Sequence, residues 1–193
     1  MVVDLYYAPA SPPCRTVLLA AKAIGVDLNL KELDLRKGEH TTPEYLKLNP
    51  QHTIPTIVDN GYSLSESRAI ITYLQNKYGK NDSLYPKDPK QRGLVDQRLY
   101  FDAASLYPSF VNHYFLDTFL ENSEFVAGNQ LTLADLSLVA TVSTIEVFNH
   151  DLSPFKNITR WFSKVKQVAP GYDEVNDKPL DGFRKIASGL TKK

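Results

Sequence analysis

Every stretch with strand character in this chain lies before residue 66, although the chain has 193 residues. That asymmetry limits the folds open to it more than any other feature. Val2 to Tyr7 is a short apolar run rich in β-branched and aromatic residues, which predicts a buried strand. Ser11-Pro12-Pro13 then opens a helix, because Ser can cap it and proline suits a first turn where its missing N–H is not needed. Val17, Leu18, Ala21 and Ile24 recur at helical spacing until Gly25 ends the run. Leu28, Leu30 and Glu32 share one face of a second strand, and a short helix follows around Pro43-Glu44-Tyr45-Leu46.

Thr56-Ile57-Val58 and Tyr62-Ser63-Leu64 flank Asp59-Asn60-Gly61, whose Asn-Gly pair supplies the positive φ angles of a tight hairpin. Ser65 to Tyr78 reads as a helix with Ile70, Tyr73, Leu74 and Tyr78 on one side and Gly79 as its stop. The order is βαβ, an irregular helix, then ββα. Residues 1–80 are therefore expected to form an α/β module with one parallel pair and one hairpin, compatible with a thioredoxin-like domain.

Residues 81–88 are polar and proline-containing, the composition of a linker. Residues 89–193 then read as all-α. Asp88-Pro89 starts a helix carrying Leu94, Val95, Leu99, Phe101 and Leu106. Thr132-Leu133-Ala134-Asp135 starts another through Leu138, Val142 and Ile145, and Ser153-Pro154 a third with Ile158, Trp161, Phe162 and Val165.

Composition removes several functions. Lys+Arg and Asp+Glu both number 22, without the basic excess of a nucleic-acid binder. One cysteine excludes an internal disulfide, and with four histidines no metal site is expected. No stretch approaches the ~20 apolar residues that span a bilayer, and Met1 to Ala10 lacks the basic start of a secretory signal. These features predict a cytoplasmic protein with neither nucleic-acid nor membrane partners.

Three clusters can carry chemistry. Ala10-Ser11-Pro12-Pro13-Cys14-Arg15 sits at a strand-to-helix turn, where unpaired N–H groups and a partial positive charge favour an anion such as a thiolate. It also reads as a plain Ser cap. Ser11 and Cys14 are spaced as in Cys-x-x-Cys with the first thiol replaced, so dithiol exchange is not available. In Asn49-Pro50-Gln51-His52-Thr53-Ile54-Pro55-Thr56, the Ile54–Pro55 bond is a candidate cis bond, turning the Ile54 N–H and C=O towards an extended peptide ligand; a loop proline is the other reading. In Leu64-Ser65-Glu66-Ser67-Arg68, a helix start could hold a carboxylate at Ser67 and an ammonium at Glu66, or be an acidic N-terminal turn.

Together these clusters resemble the cytosolic glutathione S-transferases, closest to the arthropod delta/epsilon type. Ser-Pro-Pro-Cys-Arg at 11–15, Leu-Asn-Pro-Gln-His-Thr-Ile-Pro-Thr at 48–56 and Glu-Ser-Arg-Ala-Ile at 66–70 carry the likeness. So do Arg98-Leu99-Tyr100-Phe101-Asp102 and Thr132-Leu133-Ala134-Asp135. The resemblance implies the glutathione S-transferase fold and conjugation of the glutathione thiolate to small hydrophobic electrophiles in detoxification. Glutathione is then the co-substrate, no metal is needed and the chain is a homodimer. It makes Ser11 the group that hydrogen-bonds the sulfur, and Leu35, His40, His52, Thr53, Ile54, Pro55, Glu66, Ser67 and Arg68 the glutathione-binding set. Pro13, Leu35, Tyr107, Phe110 and Phe115 would line the electrophile pocket, with Phe110 equally readable as ordinary helical core. Pro55, Thr132 and Asp135 would be structural, Cys14 a buried packing residue, and His113 and His150 without a role.

The chain departs from that family in two places. Ser65 stands where the type often has tryptophan. Residues 109–131 are also too few for two long antiparallel helices and a turn, given a rise of about 1.5 Å per residue, so a deletion is expected there. The shortened wall leaves a second reading open, a non-catalytic or weakly active protein that binds glutathione or apolar ligands. A third, a thiol-disulfide reductase, would depend on Cys14.

Overall fold

The computed structural model describes residues 2–107, 116–117, 119–148 and 151–190. β1 (Val3–Tyr7) lies parallel to β2 (Leu28–Glu32), with Val3 opposite Leu28 and Tyr7 opposite Glu32. On its other side β1 pairs antiparallel with β3 (Thr56–Asp59), which pairs with β4 (Tyr62–Ser65). The sheet order is β2-β1-β3-β4, one parallel pair plus one hairpin. The hairpin turns at Asn60 (φ 50°) and Gly61 (φ 84°), so the Asn-Gly pair does what its sequence requires.

Alternation along β1 separates two layers. Val3 and Leu5 are buried in the core with Val17, Ile57 and Ile70, while Tyr6 packs edge-on against Tyr45 at 5.7 Å between ring centroids. Tyr45 belongs to α2 (Pro43–Leu48), whose first turn is capped by Thr42. The core side carries α1 (Pro12–Ile24) and α3 (Ser67–Tyr78). α1 ends where Gly25 (φ 84°) turns left-handed and its N–H returns to the Ala21 carbonyl. From Cys14 to Ala21 every α1 residue is buried, because α3 covers one side and the helical part the other.

The helical part opens with α4 (Pro89–Phe101), capped by Asp88 and continued in π-helical register through Asp102–Leu106. α5 (Leu133–Val147) is its central helix and packs on both α1 and α4. α6 (Lys156–Val168) brings the fully buried Trp161. A π-helical turn (Asp173–Asp177) and a 3-10 turn (Lys178–Leu180) then lead into α7 (Asp181–Leu190). One hydrophobic core runs through both parts, from Leu5 and Leu19 to Leu136 and Trp161.

Two boundaries differ from the sequence expectation, each for a physical reason. α3 begins at Ser67, not Ser65: Ser65 closes β4 opposite Thr56, and Glu66 is at φ 68°, outside helical space. α6 begins at Lys156, not at Ser153-Pro154, because its N-terminal N–H groups are capped from far upstream. Asp117 Oδ1 accepts from the Asn157 and Ile158 N–H groups at 2.9 and 3.0 Å. Arg160 clamps the same upstream segment by donating to the Leu120 and Ser123 carbonyls.

Candidate active site

The strand register brings the three sequence clusters to one end of the sheet. Tyr6 of β1 is opposite Thr56, which begins β3, and Thr56 is opposite Ser65, which ends β4. The turn after β1 (Ala8 to Ser11), the loop before β3 (His52 to Pro55) and the junction after β4 (Glu66, Ser67) therefore leave the sheet side by side. Tyr7 opposite Glu32 adds the segment after β2, which contains Leu35 and His40. Residues separated by more than fifty positions converge through hydrogen-bond register alone.

Ser11 is the N-cap of α1, in extended conformation (φ −65°, ψ 123°), yet its hydroxyl makes no capping bond. Pro12 and Pro13 explain this in part: neither has an N–H to offer it. The Ser11 hydroxyl instead approaches the thiol of Cys14, which is fully buried. Burial pushes that thiol up to about 11, with hydrogen bonds from Ser11 and the Ala8 backbone and the charge of Arg15 acting weakly the other way. Cys14 therefore stays neutral and inaccessible, unlike a redox nucleophile.

Ile54–Pro55 is a cis bond, as its place before a strand suggested. The ladder to β1 starts only at Thr56, so Ile54 lies outside the sheet pairing. The loop is held from below: the Thr53 carbonyl accepts from Tyr45 Oη at 2.5 Å and Asn49 Nδ2 at 3.0 Å, and both donors also reach Thr56 Oγ1. Burial raises the Tyr45 phenol above its ordinary range, keeping it a donor. His52 (φ 46°) and His40 have ring centroids 6.1 Å apart, and His40 Nδ1 is buried without a hydrogen-bond partner among the described residues.

At the third cluster Glu66 is exposed in a positive-φ conformation that β-carbon sterics disfavour, while Ser67 beside it is buried. Arg68 donates to Ser67 Oγ at 2.9 Å and to Asp102 Oδ2 at 2.6 Å through Nη2 and 3.2 Å through Nε. Asp102 is wholly buried and also accepts from Ser137 and, at 2.8 Å, Thr141 of α5. Arg68 thus ties the start of α3 to the helical part and fixes the Ser67 hydroxyl. Sequence reasoning gave Asp102 no role; a lone acid in an apolar helical run was the signal available.

Tyr107 is 43 % exposed, with the Arg68 guanidinium 5.5 Å from its ring centre. Leu35 is exposed and Pro13 half-buried at the same end of the sheet. Phe110 and Phe115, with His113 and His150, lie outside the described residues, as does part of the expected deletion at 109–131. Asp135 is fully buried, accepting from the Thr132 N–H and hydroxyl, the Val126 N–H and Trp161 Nε1, all at 2.8–2.9 Å. Among the described residues no cluster of His, Cys, Asp and Glu could hold a metal ion, and no helix is long and apolar enough to cross a membrane.

A sheet of thioredoxin type joined to a helical bundle, with the Ser11 hydroxyl, a cis-proline loop and the Glu66–Ser67 junction at one end of the sheet, defines a two-domain architecture. Comparison with known proteins agrees. Residues 5–82 match the glutathione S-transferase N-terminal domain, and residues 113–167 the C-terminal domain. Among solved structures, a delta-class glutathione transferase of Nilaparvata lugens is 56 % identical, with 97 % of this chain and 99 % of that one covered and a TM-score of 0.93. A Bombyx mori glutathione transferase is 44 % identical (97 % and 97 %, TM-score 0.92), and an epsilon-class enzyme of Musca domestica 36 % (97 % and 97 %, TM-score 0.91). The chain belongs to the glutathione S-transferase family, and it is an enzyme of that family.

Proposed function

We propose that the enzyme conjugates the thiolate of glutathione to small hydrophobic electrophiles in detoxification, with Ser11 holding the sulfur as an anion. The uncapped Ser11 hydroxyl at the start of α1 carries this reading. A free thiol with a pKa of about 8.5 is only about 3 % ionised at neutral pH, and lowering it by ~2 units takes about 2.7 kcal/mol. A hydroxyl donating to a charged sulfur contributes roughly 1.5–3 kcal/mol and the helix terminus about 0.3–1 more. The two together are sufficient, the thiol proton leaving to solvent.

The remaining contacts follow from polarity. The Ile54 main chain suits the cysteinyl unit, Glu66 the γ-glutamyl ammonium and Ser67 its carboxylate, with Arg68 supporting Ser67. His40 and His52, with Thr53 between the latter and Ile54, suit the glycyl carboxylate. Pro13, Leu35 and Tyr107 would face the electrophile. Tyr100, 73 % exposed on α4 beside a groove containing Ala69, Thr72 and Ala103, suits a two-fold homodimer contact.

Steady-state conjugation of glutathione to an aryl halide tests the proposal. Turnover in the wild type, lost in a folded Ser11→Ala variant, is the expected result. Retention on a glutathione column without any turnover would instead make the protein a binding module.

A further inference from the structure

Arg15 is a fully buried charge that the reading above leaves unused. Its Nη1 donates to Ser143 Oγ (3.0 Å), Asn176 Oδ1 (2.6 Å) and the Asn176 carbonyl (3.3 Å); its Nη2 donates to the Ala140 carbonyl (2.9 Å) and Thr144 Oγ1. Nε has no partner. All these acceptors are neutral. Burying a cation without a counter-ion is costly, and a neutral side chain could tie α1 to α5 more cheaply.

Among the described residues, the charged and titratable groups around it do not supply the missing anion. Asp177 is engaged by Arg184 at 2.5 Å, and Glu146 of α5 pairs with Lys166 at 3.3 Å. Tyr172, beside Asn176, is held protonated by burial, and Cys14 is likewise neutral. Arg15 lies four residues after Ser11 on the same face of α1, its N–H bonded to the Ser11 carbonyl at 3.0 Å. We propose that the counter-charge of Arg15 is the ionised sulfur of bound glutathione: the guanidinium acts at a distance, through the first turn of α1, to keep that sulfur anionic. Its field already reaches Cys14, the thiol next to Ser11. At an effective dielectric of about 20, one unit charge roughly 10 Å from an acid moves its pKa by about one pH unit.

This inference rests on the Ser11 reading, and the Asn176→Asp variant separates the two. That change sets a carboxylate on the existing 2.6 Å contact without altering side-chain volume. Ultraviolet titration of the thiolate in the glutathione complex should show the apparent thiol pKa rising by about one unit relative to wild type, with the melting temperature unchanged or higher. Arg15→Lys should stay near wild type, and a folded Arg15→Gln should follow Asn176→Asp. A role confined to tying helices together moves the melting temperature and leaves the titration alone. Asn176→Asp also loses the Asn176 Nδ2 donation to Ser143 Oγ at 3.1 Å, so the folded Arg15→Gln protein is the second arm, and an unshifted titration in either variant overturns the proposal. A wild-type complex with no ionised sulfur near neutral pH refutes the Ser11 reading instead.

Discussion

Two helix starts in this molecule are built from the same kind of residue and put to opposite uses. At α5, the Thr132 hydroxyl and N–H both donate to Asp135, whose other oxygen takes the Val126 N–H and the Trp161 indole. Every polar group there is buried and paired, and the junction locks the helical bundle. At α1, Ser11 occupies the equivalent position, but two prolines follow and its hydroxyl caps nothing. The difference teaches that a helix start can serve as a ligand site when its side-chain hydroxyl is left out of the capping pattern. One start stabilises; the other, on the proposed reading, binds.

The largest expected effect follows from exchanging these roles. Ser11→Ala should lower conjugation by roughly 10²–10⁴-fold, as removal of one anion-stabilising donor does elsewhere, with the melting temperature unchanged because no capping bond is lost. Asp135→Ala should do the reverse. Leaving the Trp161 indole and two backbone N–H groups unpaired should cost about 3–5 kcal/mol in denaturant unfolding, while glutathione affinity persists in the folded fraction. If Asp135→Ala abolished binding but not stability, the contrast between the two starts would fail.

Smaller effects sharpen the contrast inside the α/β part. Glu66→Gln removes a charge but keeps the side-chain shape, and should raise the KM for glutathione about 10–100-fold with little change in stability, since a hydrogen bond to a charged group contributes roughly 1.5–3 kcal/mol. Cys14→Ser should change conjugation less than about twofold, the thiol being neutral and out of reach. Cys14 also gives a pH signature. Its pKa is raised from 9.0 to about 11 in the folded protein, so the native state holds the proton more tightly than the unfolded chain. The stability due to this group is complete below about pH 9 and declines as pH rises towards about 11. Chemical denaturation across that range should show the decline in wild type and less of it in Cys14→Ser.

Much of this was legible in the sequence because the decisive signals are local. Asn60-Gly61 fixed the hairpin, Gly25 the end of α1, and Thr132 with Asp135 the start of α5; each depends on residues within one turn of one another. What sequence could not supply depends on register or long-range pairing. The α3 boundary moved because Ser65 pairs with Thr56 across the sheet, and the α6 boundary because its cap is Asp117, remote in the chain. Asp102 went unassigned for the same reason: its partners are Arg68 of α3 and Ser137 and Thr141 of α5, two helices distant in the chain. In the site, the residue types and their order were readable, but their convergence on one end of the sheet required the β1–β3–β4 register.

Titration of the sulfur in the glutathione complex, compared between wild type and Ser11→Ala, tests the central claim most directly. The Ser11 hydroxyl at the start of α1 should hold the bound thiol about 2 units below its free value of about 8.5, and most of that depression should vanish in Ser11→Ala. Identical titrations in the two proteins would contradict the account.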